Sequence, residues 1–144
     1  MSDHIPGLVA GDVERVQVRK ISPKDTNKFV LLCSGDQVPF VSVVEIFDKG
    51  GKTPPNVHSQ AHEYFYVISG EGRATVGEST IRFQSGSYFI VPPGWVHRVE
   101  NTGEGKLYVL TTMVPDERFS ELIRSGPEAN LDEEDLAVLK GLRR

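Results

Sequence analysis

Two histidines, a glutamate and an asparagine are spaced so that they can converge on one metal-binding site. His58 lies two residues after Asn56, Glu63 opens an aromatic and β-branched segment, and His97 follows a Pro-Pro-Gly corner. Residues two apart in an extended chain project from the same side, so Asn56 and His58 are expected to face a common point. Two imidazoles and one carboxylate suit a borderline divalent ion, namely iron, manganese, nickel, cobalt or zinc.

Short strands are the elements predicted to position these residues. Apolar segments rich in Val, Ile and aromatic residues alternate with turns that contain Gly, Pro or Asp. The predicted strands cover residues 40–47, 63–68, 73–76, 80–83, 87–91, 96–100 and 107–114. Many short strands at close spacing are typical of a β-sandwich or a rolled barrel. We therefore predict an all-β fold.

The two ends of the chain have a different character. Apolar residues at helical spacing predict one helix over 116–124, and Asp132 can cap a second helix whose apolar face is Leu136, Leu139 and Leu142. The arm of residues 1–29 is less regular; residues 13–18 alternate and predict an edge strand, which a dimer could exchange. We predict a single domain over 1–144, with a core barrel at 38–114 and a helical segment at 115–144.

Composition narrows the classes of partner. The 144 residues carry a formal net charge of −4, with 38% hydrophobic and 25% charged residues, and the isoelectric point is near 5.6. This balance argues against nucleic-acid binding and favours a small-molecule ligand. No apolar run approaches membrane-spanning length, and no secretory signal is recognisable. With Cys33 as the single cysteine, a reducing, cytoplasmic location is expected.

The segments that hold the four polar residues resemble the paired motifs of the cupin family. The first family motif is Gly-x5-His-x-His-x3-4-Glu-x6-Gly, and the second is Gly-x5-Pro-x-Gly-x2-His-x3-Asn. The first is matched by Gly50, Asn56, His58, Glu63 and Gly70, with Asn56 in place of the first histidine; the second is matched throughout by Gly86, Pro92, Gly94, His97 and Asn101. The resemblance implies a double-stranded β-helix, the small jelly-roll barrel.

The resemblance also implies that His58, Glu63 and His97 are metal ligands, and Asn56 leaves three outcomes open. In the first, the three residues hold the metal alone; in the second, the Asn56 amide oxygen completes the shell; in the third, the cluster binds a ligand without any metal. Asparagine is a weaker ligand than imidazole for late transition metals. His62 is adjacent to Glu63 and should point to the opposite face, so it is not expected to replace the missing histidine. His4 is assigned no role.

The remaining expectations concern the pocket and its use. Pocket-lining candidates are Phe65, Val67, Phe89, Val91, Trp95, Tyr108 and Leu110. Asn101 is expected to bond backbone groups at a turn. The first functional hypothesis is a metal-dependent enzyme acting on a small organic molecule, by dioxygenase, isomerase, lyase or decarboxylase chemistry; the alternative is a non-catalytic binding or sensing module. Unpaired strands at the edges of an open β-roll favour a homodimer.

Overall fold

A computed structural model describes residues 5–142 of the chain; His4 lies outside this range. Within it the chain forms nine strands and two short helices. The strands are β1 (Val18–Arg19), β2 (Lys28–Cys33), β3 (Val41–Phe47), β4 (His62–Ser69), β5 (Glu71–Val76), β6 (Ser79–Gln84), β7 (Tyr88–Val91), β8 (His97–Asn101) and β9 (Leu107–Val114). The helices are α1 (Phe119–Arg124) and α2 (Glu133–Leu139).

The strands form two antiparallel sheets that pack face to face. One sheet has the order β1-β2-β3-β9-β4-β7, and the other has the order β6-β5-β8. A buried apolar cluster joins them, with Phe65 of β4 and Val109 of β9 on one side and Ala74, Phe83 and Val99 on the other. Aromatic and branched side chains on the inner faces therefore bury the core between the sheets. The predicted all-β jelly roll with short C-terminal helices is confirmed.

Strand β3 is buried on both faces. Its outer residues Val44 and Ile46 pack with Tyr108 and with Leu139 of α2. The inner face alternates with these residues and carries Val41, Val43, Glu45 and Phe47, all of which are buried. A strand covered by a sheet on one side and a helix on the other has no solvated face, which explains its nearly continuous apolar sequence.

The two helices follow the sequence prediction with shorter bounds. Helix α2 begins at the Asp132 N-cap in a reciprocal capping box with Asp135. Helix α1 begins only at Phe119, because Glu117 and Arg118 have φ values of 51° and 67° in the left-handed region. Leu142 does not join the buried face of α2, since it is 59% exposed beyond the end of that helix.

The N-terminal region differs most from the sequence prediction. The edge strand expected over 13–18 is reduced to Val18–Arg19, which pairs with the chain's own β2. Strand β2 itself was not predicted; it pairs antiparallel with β3 and supplies Phe29 and Leu31 to the core. Neither helix within residues 5–142 is both long and apolar enough to cross a membrane.

Candidate metal centre

Three of the predicted ligands meet inside the barrel. Glu63 Oε1 lies 2.8 Å from His97 Nε2 and 3.0 Å from His58 Nε2. One ligand atom from each residue falls within 4.8 Å of the other two. Glu63 and His97 are buried, and His58 is half-buried at the rim. Residues from two separate motifs thus converge on a single point.

Local backbone structure explains this convergence. Strand β4 alternates between exposed and buried residues, so Glu63 points inward with Phe65 and Val67. The backbones of Asn56 and His97 exchange two hydrogen bonds, of 3.0 and 2.9 Å, which fix the segment before His58 against β8. At the Pro-Pro-Gly corner Gly94 has a φ of 88°, a value that favours glycine, and its N–H donates to the His58 carbonyl at 2.8 Å.

Hydrogen bonds orient the His97 ring for metal binding through Nε2. A carbonyl oxygen can only accept, so His97 Nδ1–H donates to Trp95 O at 3.1 Å. This leaves Nε2 for the interaction with Glu63 or for a metal, the arrangement usual for ligating histidines. Burial alone would lower the pKa of His97, but the bonds to Glu63 and to the Trp95 carbonyl raise it. Without a metal, His97 is therefore favoured as an imidazolium paired with Glu63.

The Glu63 carboxylate is held ionised by the same contacts. Burial is the largest single influence and would raise the pKa of Glu63, but hydrogen bonds from His58 and His97 together outweigh it and lower the pKa. An ionised carboxylate is the form that binds a metal cation. The ionised Glu63 beside His97 therefore favours exchange of the His97 Nε2 proton for a metal ion.

The donor set fits a divalent transition metal. Metal bonds to imidazole and carboxylate measure roughly 2.0–2.2 Å, so neighbouring ligands at right angles lie about 3 Å apart, close to the 2.8 and 3.0 Å observed here. Asn56 supplies a second observation. Its Nδ2 donates to Pro54 O at 3.3 Å, whereas its buried Oδ1 has no hydrogen-bond partner among residues 5–142. Asn56 lines the same cavity as the three candidate ligands, so its unpartnered oxygen is a candidate for a fourth contact.

A cavity of about 200 Å³ opens onto the cluster. Apolar side chains make most of its wall, from Ile21, Phe29, Phe65, Val99, Phe119 and Leu122. A second polar group lines it as well, formed by Asp25, Asn27, Glu45 and Lys52. The site therefore combines a mainly apolar enclosure with two sets of polar groups, as is typical of small-molecule pockets.

The structure brings only part of the predicted pocket together. Asn56, His58, Glu63, His97 and Phe65 line the cavity. Val67, Phe89 and Val91 point inward but pack in the buried cluster outside the cavity wall. Tyr108 and Leu110 lie on the other side of β9, in the cluster that contacts α2, because the alternation of that strand directs Leu107, Val109 and Thr111 inward. These five residues do not line the cavity.

Trp95 also lies outside the cavity. The predictions for His62 and Asn101 are confirmed. The Trp95 ring is 54% exposed and lies over the turn at Gly77. His62 is exposed on the outer side of β4, as strand alternation predicts. Asn101 Nδ2 donates to the carbonyls of Asp48 and Gly105 at 3.0 and 2.9 Å, and its Oδ1 accepts from Gly103 N–H. Asn101 is thus a backbone-binding residue that stabilises a turn.

Sequence reasoning missed Glu45, Asn27 and Glu117. Glu45 is a charged residue inside an otherwise apolar strand, and that contrast was the available signal. Asn27 precedes a strand that was not predicted, so its proximity to Glu45 was not visible. Glu117 contacts the loop after His58 from a segment more than fifty residues away. No local pattern indicates such a contact.

Comparison with known proteins identifies the family of the central part of the chain. Residues 43–113 match the family described as "Cupin domain". This match shows that residues 43–113 form a cupin domain, in agreement with the jelly-roll topology.

Curated relatives cover parts of the chain. A gentisate 1,2-dioxygenase from Haloferax sp is 30% identical over 76 residues, which are 53% of this chain and 21% of that enzyme. An uncharacterized protein of Methanocaldococcus jannaschii is 29% identical over 66 residues, which are 46% of this chain and 53% of that protein. The chain therefore spans about a fifth and about half of the lengths of these two relatives.

Solved structures show the same fold at low sequence identity. A predicted oxalate decarboxylase from Thermotoga maritima superposes with a TM-score of 0.68 and 19% identity, covering 75% of this chain and 98% of that one. The cupin domain of Schizosaccharomyces pombe Cnp3 superposes with a TM-score of 0.64 and 22% identity, covering 80% of this chain and 81% of the other. Likeness at such low identity shows the fold alone, and the chemistry has to be argued from the residues of the site.

Proposed function

We propose that this protein is a metal-dependent enzyme that acts on a small organic molecule inside the barrel. The observation that carries the proposal is the convergence of His58, Glu63 and His97 at the cavity. In this proposal His58, Glu63 and His97 hold a divalent transition metal, and the Asn56 amide oxygen is the candidate fourth ligand. A two-histidine, one-carboxylate set leaves coordination positions open for water or substrate.

The chain's own residues would bind, orient and enclose the substrate. Phe29, Phe65 and Val99 form apolar walls that exclude water, and Phe119 of α1 contacts Phe29 edge to face at 6.0 Å. The bound metal would supply Lewis-acid chemistry or dioxygen activation. The names of the relatives, a gentisate dioxygenase and a predicted oxalate decarboxylase, support oxidative or decarboxylating chemistry on an organic acid.

A non-catalytic binding module is the second candidate, and one observation favours it. Glu63 Oε1 already accepts hydrogen bonds from both imidazoles, so the cluster is satisfied as a polar network without a metal. The replacement of the first motif histidine by Asn56 also favours the binding module, because it removes one strong metal ligand. In this alternative the barrel binds a small molecule without turning it over.

Elemental analysis of protein purified without a histidine tag tests the metal site. We expect more than half an equivalent of a transition metal per chain in the wild type and none in His97→Ala. The control is His62→Ala, which changes an exposed histidine next to Glu63. A wild-type protein that contains no metal and takes up none on reconstitution would overturn the proposal.

Turnover separates the enzyme from the binding module. The metal-loaded protein would be assayed for product with gentisate and with oxalate, the compounds named for the relatives. Turnover of either that is lost in His97→Ala supports the enzyme. Saturable binding with no product from either compound supports the module.

We also propose that the protein is a cytoplasmic homodimer. The outer face of β4 and β7 exposes Tyr64, Tyr66, Tyr88 and Ile90, with the Tyr64 and Tyr88 rings stacked at 6.3 Å. An apolar face on an edge strand supports association with a second copy. Light scattering after size exclusion, with and without residues 1–20, tests the state. A dimer that persists after truncation excludes an exchanged N-terminal strand, and a monomeric full-length protein refutes the dimer.

A further inference from the structure

The buried carboxyl of Glu45 is the feature of this cavity that the metal site does not use. Glu45 lies on the inner face of β3, is 6% exposed and lines the cavity together with the three candidate ligands. Its Oε2 accepts a hydrogen bond from Asn27 Nδ2 at 2.8 Å. Asn27 is itself buried, and its backbone N–H donates to Asp25. The carboxyl is therefore held in a fixed position.

A purely structural role explains Glu45 poorly. Among residues 5–142, no Lys, Arg or His forms an ion pair with it. Burial of a carboxyl group without a cation is costly, whether the group is ionised or is held protonated above its ordinary pKa, and an apolar side chain or glutamine would avoid that cost. Groups that lower stability in this way are characteristic of functional sites.

The second carboxyl oxygen is available to a ligand. Glu45 Oε1 forms no hydrogen bond with any residue of the described range, and it is not among the atoms sealed from solvent. It therefore opens onto the cavity. Lys52 lies at the rim of the same cavity, is exposed, and forms no salt bridge within residues 5–142. An available cation at the mouth attracts an anionic ligand.

The surroundings of Glu45 favour its protonated form. The pKa of Glu45 is raised to about 8: burial is the main cause, the hydrogen bond from Asn27 opposes it, and the carboxylates of Glu63 and Asp25 add to it. The other ionisable groups on the cavity wall are Lys52, His58 and His97. In the protein without a metal, the Glu45 carboxyl is therefore protonated at neutral pH and can donate a hydrogen bond to an anion.

We propose that Glu45 and Asn27 form a ligand-binding site that recognises an anionic oxygen, a carboxylate or an enolate, of a small organic acid. Glu45 donates a hydrogen bond from the oxygen that faces the cavity, while Asn27 holds the other oxygen. The proposal rests on the proposed function in placing the substrate in this cavity, and it adds the residues that recognise the acid group of that substrate.

The charge and size of the cavity agree with a small monoanion. With a divalent metal, Lys52, Asp25 and Glu63 counted, the cavity carries a net charge of +1 while Glu45 is neutral. Its volume of about 200 Å³ and the walls from Phe29, Phe65 and Val99 suit a ligand about the size of one ring. Benzoate is therefore an appropriate probe, and benzamide is its uncharged control.

Calorimetric titration of the full chain with benzoate tests the proposal. We compare wild type, E45Q and E45A at pH 6.5 and pH 9, each with and without bound metal. E45Q keeps a donor toward the cavity and an acceptor for Asn27 but cannot ionise. We expect E45A to weaken benzoate binding at least tenfold at pH 6.5, the effect of losing a hydrogen bond to a charged group, with unchanged metal content. Benzoate affinity should fall at least tenfold from pH 6.5 to 9 in the wild type and change much less in E45Q.

Each result decides the proposal. Equal affinity of wild type and E45A, equal pH dependence in wild type and E45Q, benzamide binding as tight as benzoate, or no benzoate binding at 20 mM would overturn it. Metal analysis of the same samples keeps the two proposals separate. A wild type without metal that still binds benzoate through Glu45 refutes the metal enzyme and retains this site, whereas full metal content with no effect of E45A does the opposite.

Discussion

Glu117 accepts a hydrogen bond from the backbone N–H of Gln60 at 2.8 Å. The same carboxylate also accepts from the N–H groups of Ala61 and Ser59. The segment that follows β9 therefore holds the loop that directly follows His58. Glu117 has a φ of 51°, an unfavourable conformation for a side-chain-bearing residue, and this places its carboxylate over three consecutive donors.

Loss of this contact should weaken metal binding although Glu117 is not a ligand. We predict that Glu117→Ala lowers metal affinity about 10–100-fold, the usual effect of removing a group that positions a ligand, and that Glu117→Gln restores part of the loss. Competition with a chromogenic chelator gives the affinity. The control is Glu121→Gln, which affects an exposed ion pair with Arg118. An unchanged affinity in Glu117→Ala would show that the loop positions His58 without this anchor.

Substitution of Asn56 distinguishes a three-ligand site from a four-ligand site. Because its Oδ1 is buried and unpartnered within residues 5–142, we predict that Asn56→Ala lowers metal affinity about tenfold, while Asn56→His raises it because imidazole is the stronger ligand. The same chelator competition measures both. If Asn56→Ala binds metal as well as the wild type, then His58, Glu63 and His97 hold the ion alone.

Metal affinity should depend on pH through His97. The pKa of His97 is raised above its ordinary value of 6.5 by Glu63 and the Trp95 carbonyl, and Nε2 must lose its proton before it can bind a metal. We predict that affinity falls as pH decreases through this raised pKa, with about one proton released per metal bound. Calorimetry in buffers of different ionisation enthalpy measures that number. The absence of proton release at pH 6.5 would contradict the ion pair between His97 and Glu63.

Asp135 should stabilise the attachment of α2 strongly. Its buried carboxylate lies 2.5 Å from Lys28 Nζ, 3.0 Å from Lys106 Nζ and 2.8 Å from the Tyr108 hydroxyl. Burial alone would raise the pKa of Asp135, but these bonds hold it well below the ordinary 3.8. Its contribution to the free energy of unfolding is therefore present above pH 3.8 and is lost as the pH falls through the depressed value.

We predict that Asp135→Asn lowers the free energy of unfolding by about 3 kcal/mol at pH 7, and that the deficit shrinks below pH 4. Urea denaturation at pH 7 and pH 3 measures it. Glu134→Gln is the matched control, because Glu134 is a half-exposed neighbour 4.0 Å from the same Lys106; a change within about 0.5 kcal/mol is expected. A deficit equal to that of the control would show that the Asp135 network makes no measurable contribution to the free energy of unfolding.

Glu45 should have the opposite pH signature. Its pKa is raised to about 8 in the folded protein, against an ordinary 4.5, so folding opposes its ionisation. The wild type should therefore lose stability relative to Glu45→Gln as pH rises from 4.5 to 8. Urea denaturation of both proteins at pH 5 and pH 8 tests this. A stability difference that does not change between these pH values would mean that the folded and unfolded pKa values of Glu45 coincide.

Spacing and alternation predicted the convergence of His58, Glu63 and His97 that the structure shows. The inward direction of Glu63 and the outward direction of His62 follow from the two-residue period of β4, which has one buried face. The same reasoning failed for Tyr108, because β9 is buried on both sides and its hydrophobic pattern does not distinguish them. Only the register with β3 and β4 determines which side faces the barrel.

Long-range contacts account for the other omissions. Asn27 meets Glu45 only after β2 pairs with β3. Glu117 meets Gln60 across fifty-seven positions of the chain. Local sequence patterns contain no information about such pairs. They predicted most of the strands and the convergence of His58, Glu63 and His97, but not the groups that support these residues.

The convergence of Glu63 and His97 from different sheets also has a kinetic consequence. Glu63 belongs to the six-stranded sheet and His97 to the three-stranded sheet, thirty-four positions later in the chain. The ligands therefore assemble only when the two sheets have docked, and an ion bound there would link them. Contacts absent from the folding transition state slow unfolding more than they accelerate folding, so an ion that binds only after the sheets dock should act mainly on the unfolding rate.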